Sequence, residues 1–397
     1  MTWQGKPEAL SGVVALEISD SPGASFAAST LADFNATVYV CESLPDGSAL
    51  RALEPKQWWP ILARNKHSVA LDPGSPHAPE AIRALLSRAD VVVSDVAARQ
   101  RAQHPWLKEL ASLAKKPLMV DLFPTGADRP DLWPWSRRAD MAAAASGQMA
   151  MTGHAGQEPL QPEMPLAEYL AGAMGALRAV AELRRLRLGT GAEDVAMPLH
   201  AAMQRMIEWQ VLMASAMGKA EQRVGNAFPM NFSIGNMHRT RDGKYVAVSA
   251  AGDGPVGRLL EMVGGKALRE DPRFSTQWAR MGGLSDIYRI LDEWMGARTM
   301  PEVSAAAAEH DVVLGQIFDT GDILNDAHMK ARGNIVELST DDGQTVLMPG
   351  VTPRVIGWST SVKHLGPALG GHTADALQRC GVTQEVIARL RTTGAIR

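Results

Sequence analysis

The sequence predicts an α/β protein whose first third winds a parallel sheet between two layers of helices. Three observations carry this. Short, almost continuously apolar runs recur between residues 13 and 123, and stretches of helical pattern separate them. Strands that are apolar on both faces and alternate with helices belong in a parallel sheet covered on both sides. The length is the third: 397 residues exceed one ordinary core and suit two or three packed domains.

The elements follow in order. Residues 13–18 (VVALEI) read as the first strand, a short apolar run with β-branched residues. The small-residue segment SDSPGAS comes next, then a helical stretch over 26–34. Residues 36–42 (ATVYVCE) and 67–72 (HSVALD) give the second and third strands. A helix over 79–88 leads into a fourth strand at 89–95 (ADVVVSD), and a helix over 106–114 into a fifth at 117–123 (PLMVDLF). This is a Rossmann-like, doubly wound arrangement. The topology suggests a nucleotide, yet the first turn reads SDSPGAS and not G-x-G-x-x-G, so a close backbone cradle for a pyrophosphate is unsupported. Glu42, ending the second strand, is a candidate partner for a ribose hydroxyl; a solvated strand-end carboxylate explains it equally well.

From 165 to about 217 the pattern is long and helical, interrupted by Gly172, Gly175 and Gly189. The stretch AVAELRRLRLGTG ends in glycines, as a helix C-terminus does, with Arg184, Arg185 and Arg187 in its last turns; they are candidates for a phosphate, and complementing the helix dipole is the commoner use. A second module begins near 226. Residues 238–250 (HRTRDGKYVAVSA) form a hairpin signal with Asp242-Gly243 at the turn. Helical stretches follow at 254–263, 284–295, 301–310 and 322–332. NIVELST and QTVLMPG read as a strand pair around Asp341-Asp342-Gly343. The end, HTADALQRCGVTQEVIARLRTTGAI, is a helix pair starting at a Thr373 cap.

Composition narrows the function. The net charge of -3 leaves no basic footprint for nucleic acid. No apolar stretch reaches the roughly 18 residues that span a bilayer. The opening MTWQGKPEALSG lacks a basic run followed by an apolar one, so no signal peptide is expected. Cys41 and Cys380 cannot build a disulfide framework or a zinc cluster by themselves; two reduced, partly buried thiols of a cytoplasmic protein are expected. His104, His154, His200, His310 and His328 carry no metal-ligand spacing, and no metal is expected.

Several segments, in this order, resemble the family III CoA-transferases, also called the CaiB/BaiF or formyl-CoA transferase family. LSGVVALEIS…LADFNATVYVCE is similar to the family's L-x-G-x-x-V-L-D-L-S…L-A-D-x-G-A-D-V-I-K-V-E, and RNKHSVALD to R-N-K-R-S-V-A-L-D. ADVVVSD matches A-D-V-L-V-E-N loosely. ASGQMAMTG (145–153) and PLAEYLAGAMGAL (165–177) resemble the segments around the family's catalytic carboxylate. RTRDGKYVAVSA, DPRF and LNDAHMKARG look like small-domain landmarks, and the C-terminal stretch resembles L-G-E-H-T-x-x-V-L. The resemblance implies a Rossmann-like large domain formed by both chain ends (1–225 and 334–397), a smaller α/β domain (226–333) and an interlocked dimer.

It also implies a reaction: CoA passes from an acyl-CoA to a small carboxylic acid, as substrate rather than as a permanently bound cofactor. The family's nucleophile is an aspartate followed shortly by glycine at the head of a helix. The matching residue here is Glu168, in PLAEYLAG. A glutamate can form the same anhydride and thioester. Three readings of Glu168 stay open: a working nucleophile, a replaced residue in a non-catalytic subunit that pairs with an Asp-bearing paralogue, and an ordinary first-turn helix glutamate favoured by the dipole. A CoA-thioester isomerase or lyase on the same fold is a further alternative. For CoA phosphates the resemblance points to Arg64 and Lys66 in RNK, with a solvated loop cation as the alternative; DVAARQR lacks the family's Asn-Phe and Pro-Gly elements, and Arg99 and Arg101 there are further candidates. Lys115-Lys116 is either a 3′-phosphate contact or a plain surface pair. The family's A-G-P after the first strand is here Gly23-Ala24-Ser25, and VGNAFPMNFSIGN lacks the glycine-rich flap. The racemase branch needs a histidine directly before the aspartate matched by Asp140; that residue is Ala139, so two-base proton transfer has no agent, and Asp140 is expected at a helix start or turn. His372 is expected to act locally, beside the Thr373 cap.

Overall fold

The computed structural model describes residues 9–56, 58–124, 140–220, 222–226, 234–340, 343–354 and 360–397. The chain forms two compact units: Met1–Ala150 with Gln161–Glu221 and His328–Arg397, and Met151–Leu160 with Gln222–Ala327.

The first unit is built on a six-stranded sheet of β1 (Val14–Ile18), β2 (Thr37–Ser43), β3 (His67–Leu71), β4 (Val91–Ser94), β5 (Leu118–Phe123) and β6 (Val195–Pro198). The order is β3-β2-β1-β4-β5-β6 and every pairing is parallel. Five of these strands are legible as apolar runs. The sixth, VAMP, is too short and too mixed to stand out from the helical pattern around it. Alternate residues of the strands feed two cores, because successive side chains of a strand point to opposite faces. Val14, Leu16 and Ile18 pack with Ile82, Leu85, Leu377 and Leu390. Val13 and Ala15 pack with Ala27, Leu31, Ala171 and Leu183.

The helices of this unit are α1 (Pro22–Asp33), α2 (Trp58–Leu62), α3 (Ala78–Arg88), α4 (Asp140–Ala145), α5 (Gln148–Met151), α6 (Leu166–Arg187), α7 (Leu199–Met206) and α8 (Glu208–Met217). The first differs from its expected limits. The helix takes in the second half of SDSPGAS: it starts at Pro22, Ser21 caps it by accepting from the Ala24 N–H, and Pro22 sits where its missing N–H costs nothing. The helix expected over 106–114 is a 3-10 segment at Leu107–Ser112. The long helical pattern of 165–217 is three helices with β6 between them, the first ending before Gly189, whose φ is +70°.

In the second unit, β7 (Ile234–Arg239) and β8 (Tyr245–Ala250) pair antiparallel around Asp242-Gly243, as the hairpin signal predicts, and β9 (Leu314–Gln316) adds to β8. Helices α9 (Asp253–Arg269), α10 (Gln277–Gly296) and α11 (Met300–Glu309) bury Leu259, Ile287, Leu291 and Val303 against this sheet. Two short helices, α12 (Thr320–Asn325) and α13 (Ala327–Ala331), stand where one stretch is expected.

The chain has already returned to the first unit at His328, within α13; the hairpin β10 (Ile335–Ser339) and β11 (Thr345–Pro349) follows there, and its expected turn residues Asp341 and Asp342 lie outside the described residues. Helices α14 (Thr373–Arg379) and α15 (Gln384–Thr392) follow. Thr373 is not the cap. His372 is the cap residue, and the Thr373 hydroxyl accepts from Ala70 N–H of β3 at 3.0 Å and donates to Gly370 O. Further along, Asp72 N–H donates to Ala395 O and Ile396 bridges Leu71. The C-terminal segment thus covers the free edge of β3, where unpaired backbone groups would invite association.

His67 at the start of β3 lies against two histidines of this returning segment, with ring centroids 4.6 Å from His372 and 5.7 Å from His364. Burial, then the neighbouring His372 and His364, push the His67 pKa down to about 4. The unfolded chain takes up a proton near pH 6.5 that the folded chain resists until about pH 4. Stability from this group therefore falls as the pH is lowered through that window. The loss of urea midpoint between pH 7 and pH 5 is accordingly smaller in His67→Gln than in the unmodified chain.

Candidate active site

Glu168 stands in the first turn of α6, at the end where the helix dipole favours a carboxylate. Its place is fixed by a close crossing of α6 with α1. A methyl group on Gly172 would lie 2.6 Å from Gly23 O and 3.2 Å from Ala27 N, and one on Gly23 would lie 3.0 Å from Glu168 O. Ala24, Ala27 and Ala28 of α1 and Ala167 and Ala171 of α6 keep this seam thin. Because α1 follows β1, its N-terminus lies at the carboxyl edge of the sheet. The first turns of two helices therefore meet beside Glu168 at the edge where open α/β sheets bind ligands.

A cavity of about 200 Å3 opens there, lined by Trp58 of α2, Ala143 of α4, and the segment Gln161–Glu168. Trp58, Pro162, Met164 and Leu166 make much of its wall apolar. Next to Glu168, Tyr169 packs edge-on against Phe26 of α1 at 4.5 Å; burial first, and the Glu168 charge second, push its phenol pKa up.

The crevice between β1 and β4, where the strand order reverses, is filled by the protein's own groups. Asp20 N–H donates to Asp95 Oδ2 at 3.0 Å, and Asp20 Oδ1 accepts from Ser48 Oγ and Ala49 N. Burial pushes the Asp95 carboxyl up to about 6. Glu42 is not a ribose ligand: its carboxylate is fully buried, paired with Arg51 at 2.6 Å and bonded to Ser68 Oγ and Ser48 N.

The four cations picked from the sequence are dispersed. Arg64 donates to Asp33 Oδ2 at 2.5 Å and to Pro349 O at 2.8 Å. Lys66 corrects the expectation of a phosphate contact. It is completely buried, and its ammonium reaches Glu17 Oε2 at 2.6 Å, Ser25 O at 2.7 Å and Ser25 Oγ at 2.8 Å. Three donors are thereby matched to three protein oxygens, which leaves none for a ligand. Lys66 ties β1 to the first turns of α1 instead. Arg101 bridges Asp121 and Asp194, and burial pushes Asp121 up to about 6 against the pull of that arginine. Arg99 is exposed in the turn after β4. Lys116, with Arg101 and Lys108, lines a separate cavity of about 300 Å3. Helix α4 begins at Asp140, while Ala139 and the rest of that candidate racemase stretch before it lie outside the described residues. Among the described residues no group of three or more His, Cys, Asp or Glu side chains could hold a metal, and no helix is long and apolar enough to cross a membrane.

Trp58 and Glu163 were not legible as site residues, since QWWPILA carries no chemical motif. Gly172 was visible as a break in the helical pattern, but its role needs the partner helix.

The buried pair makes a direct prediction. Lys66→Met leaves Glu17 as a buried charge without a counter-ion and costs about 3–5 kcal/mol. Lys66→Met combined with Glu17→Met removes both charges and costs less than the single change. Urea unfolding of the two variants measures the difference.

The comparisons with known proteins agree with this architecture. The pattern described as CoA-transferase family III matches residues 10–373. The chain is 27% identical to a succinyl-CoA–D-citramalate CoA-transferase of Chloroflexus aurantiacus over 100% of both chains. It is also 27% identical to the beta subunit of a succinyl-CoA–L-malate CoA-transferase of the same organism, covering 98% of each. A CaiB/BaiF family protein from Brucella suis has the same fold, with a TM-score of 0.81 and 24% identity over 94% of this chain and 100% of that one. The chain belongs to CoA-transferase family III.

Proposed function

We propose that this chain transfers CoA from an acyl-CoA to an acceptor carboxylic acid with Glu168 as the nucleophile. One observation carries the reading: Glu168 sits in the first turn of α6 against the first turn of α1, at the mouth of a cavity on the carboxyl edge of the sheet. The Glu168 carboxylate attacks the thioester carbonyl and expels CoA thiolate, leaving a mixed anhydride. The thiolate attacks the glutamyl carbonyl and expels the donor acid, leaving a glutamyl-CoA thioester. An incoming carboxylate reverses both steps and departs as its CoA ester. Two converging helix N-termini favour the negative charge that develops on each tetrahedral oxygen. For the CoA phosphates the reading uses Arg99 and Arg101, with Lys108 and Lys116 around the cavity that Arg101 borders. Arg64 serves to hold Asp33, and with it the end of α1.

Exchange of labelled acid into its CoA ester tests this. Glu168→Gln abolishes the exchange. Glu168→Asp keeps the functional group but shortens the reach by about one C–C bond, and loses roughly a hundredfold in kcat, since a displacement near 1 Å costs about that much. Full activity in Glu168→Gln contradicts the reading.

The active unit is proposed to be an interlocked homodimer. In the single chain Trp209, Leu212 and Met217 of α8 are half or more exposed, an apolar face that a second copy would cover. Light scattering is expected to give twice 42.6 kDa. The relative named as a beta subunit favours a second reading, a heteromer with an Asp-bearing partner chain. Co-purification of such a partner, with exchange only in its presence, would select it.

A further inference from the structure

We infer that Tyr169 is a positioning residue for the reaction at Glu168: its ring, and not its hydroxyl, holds the first turn of α6 on α1 and so aims the neighbouring carboxylate. This rests on the proposed role of Glu168. The need arises at the helix start. The N-cap residue of α6 is Pro165, whose side chain has no oxygen to accept from the first-turn N–H groups. A first turn without a side-chain cap depends on packing to keep its place. Measured to its side-chain tips, a helix has a radius of about 5–6 Å, so a rotation of about 10° moves a tip by about 1 Å. A displacement of that size costs roughly a hundredfold in rate.

Tyr169 supplies that packing toward two neighbours. Its ring meets the Phe26 ring of α1 with 4.5 Å between centroids and 78° between planes, an edge-on contact that fixes orientation as well as distance. Phe26 is also met by α6 one turn further on, where a methyl group on Gly172 would lie 3.0 Å from its Cδ1. Residues 169 and 172 are three apart and share a face of the helix. The Phe26 ring is therefore held at two levels of α6, and the missing side chain of Gly172 makes the room for it. Tyr169 packs in addition against the buried cluster of Val40, Leu50, Trp59, Leu62 and Ala63, contributed by β2, α2 and the residues beside them. That cluster is anchored in turn by Trp59 Nε1, which donates to Pro367 O at 3.0 Å. One ring thus joins the turn that carries Glu168 to both α1 and α2. Its phenol pKa is pushed up, by burial first and the Glu168 charge second, so it stays neutral and sets no charge against the carboxylate.

The test compares Tyr169→Phe, Tyr169→Leu and Phe26→Leu with the unmodified chain in the exchange of labelled acid into its CoA ester, with kcat and KM determined separately. The expected result is a loss of about tenfold or more in kcat in each leucine variant, with KM for the acyl-CoA little changed. Tyr169→Phe, which keeps the ring, retains the kcat of the unmodified chain. The two leucine changes combined cost about as much as the worse one alone, because both break the same contact. Full kcat in Tyr169→Leu overturns the inference. An equal loss in Tyr169→Phe also overturns it and makes the hydroxyl the working group, and a loss confined to KM places the ring in substrate binding instead. If Tyr169→Leu does not fold, Phe26→Leu and Tyr169→Phe decide by the same criteria. Glu168→Gln is assayed in parallel. Exchange lost in Glu168→Gln but intact in both leucine variants removes the positioning role and leaves the nucleophile assignment standing. Exchange retained in Glu168→Gln removes the nucleophile assignment and the positioning role with it.

Discussion

The architecture of the site depends on how closely two helices approach. At Gly172 there is no room for a single methyl group, because Gly23 O would be 2.6 Å away. Helix α1 is set by the sheet, since it follows β1 directly and its cap, Ser21, follows the strand after two residues. Helix α6 is set by α1. The first turn of α6 is therefore located by the sheet through two glycines and a row of alanines, and Glu168 is in that turn. A larger residue anywhere along the seam would displace the carboxylate from the sheet edge, and overpacking of this kind also carries a stability cost of about 1–3 kcal/mol.

A second constraint is electrostatic. The large unit buries several charges and answers them internally: Glu17 with Lys66, Glu42 with Arg51, Asp33 with Arg64, Asp121 with Arg101. Such pairs are strongly held once formed, because removing one partner strands the other in a medium of low dielectric. They also tie separate parts of the sequence together. Glu42 receives Ser68 of β3, and Arg51 reaches Pro367 of the returning C-terminal segment. The structural consequence is that Lys66, Arg51 and Arg64 serve the scaffold.

Much of the fold was legible in the sequence, and the reason is physical. A buried parallel strand must be apolar on both faces, so VVALEI, ATVYVCE, HSVALD, ADVVVSD and PLMVDLF announce themselves. Asp242-Gly243 announces its hairpin because its turn requires a residue at positive φ, and Gly243 sits at +81°. The start of α1 was misread because serine, proline and glycine favour both loops and helix N-termini; only the Ser21 cap distinguishes them. Glu168 was singled out through its surroundings in the chain, and the structure places it in the lining of a cavity at the head of α6. It was not legible at Lys66, because a lysine in a loop gives no sign that Glu17 and Ser25, 49 and 41 residues away, will enclose it. Trp58 and Glu163 escaped for the same reason: a cavity wall is assembled from distant segments and leaves no local pattern.

The central claim is that Glu168 carries CoA covalently. Incubation of the purified chain with a mixture of acyl-CoAs, then borohydride, converts a glutamyl thioester to the alcohol, a change read by mass on the Glu168 peptide. The account predicts that alcohol on Glu168 and its loss in Glu168→Gln. An unmodified Glu168 peptide from a chain that binds CoA and turns over the same acyl-CoAs would contradict it.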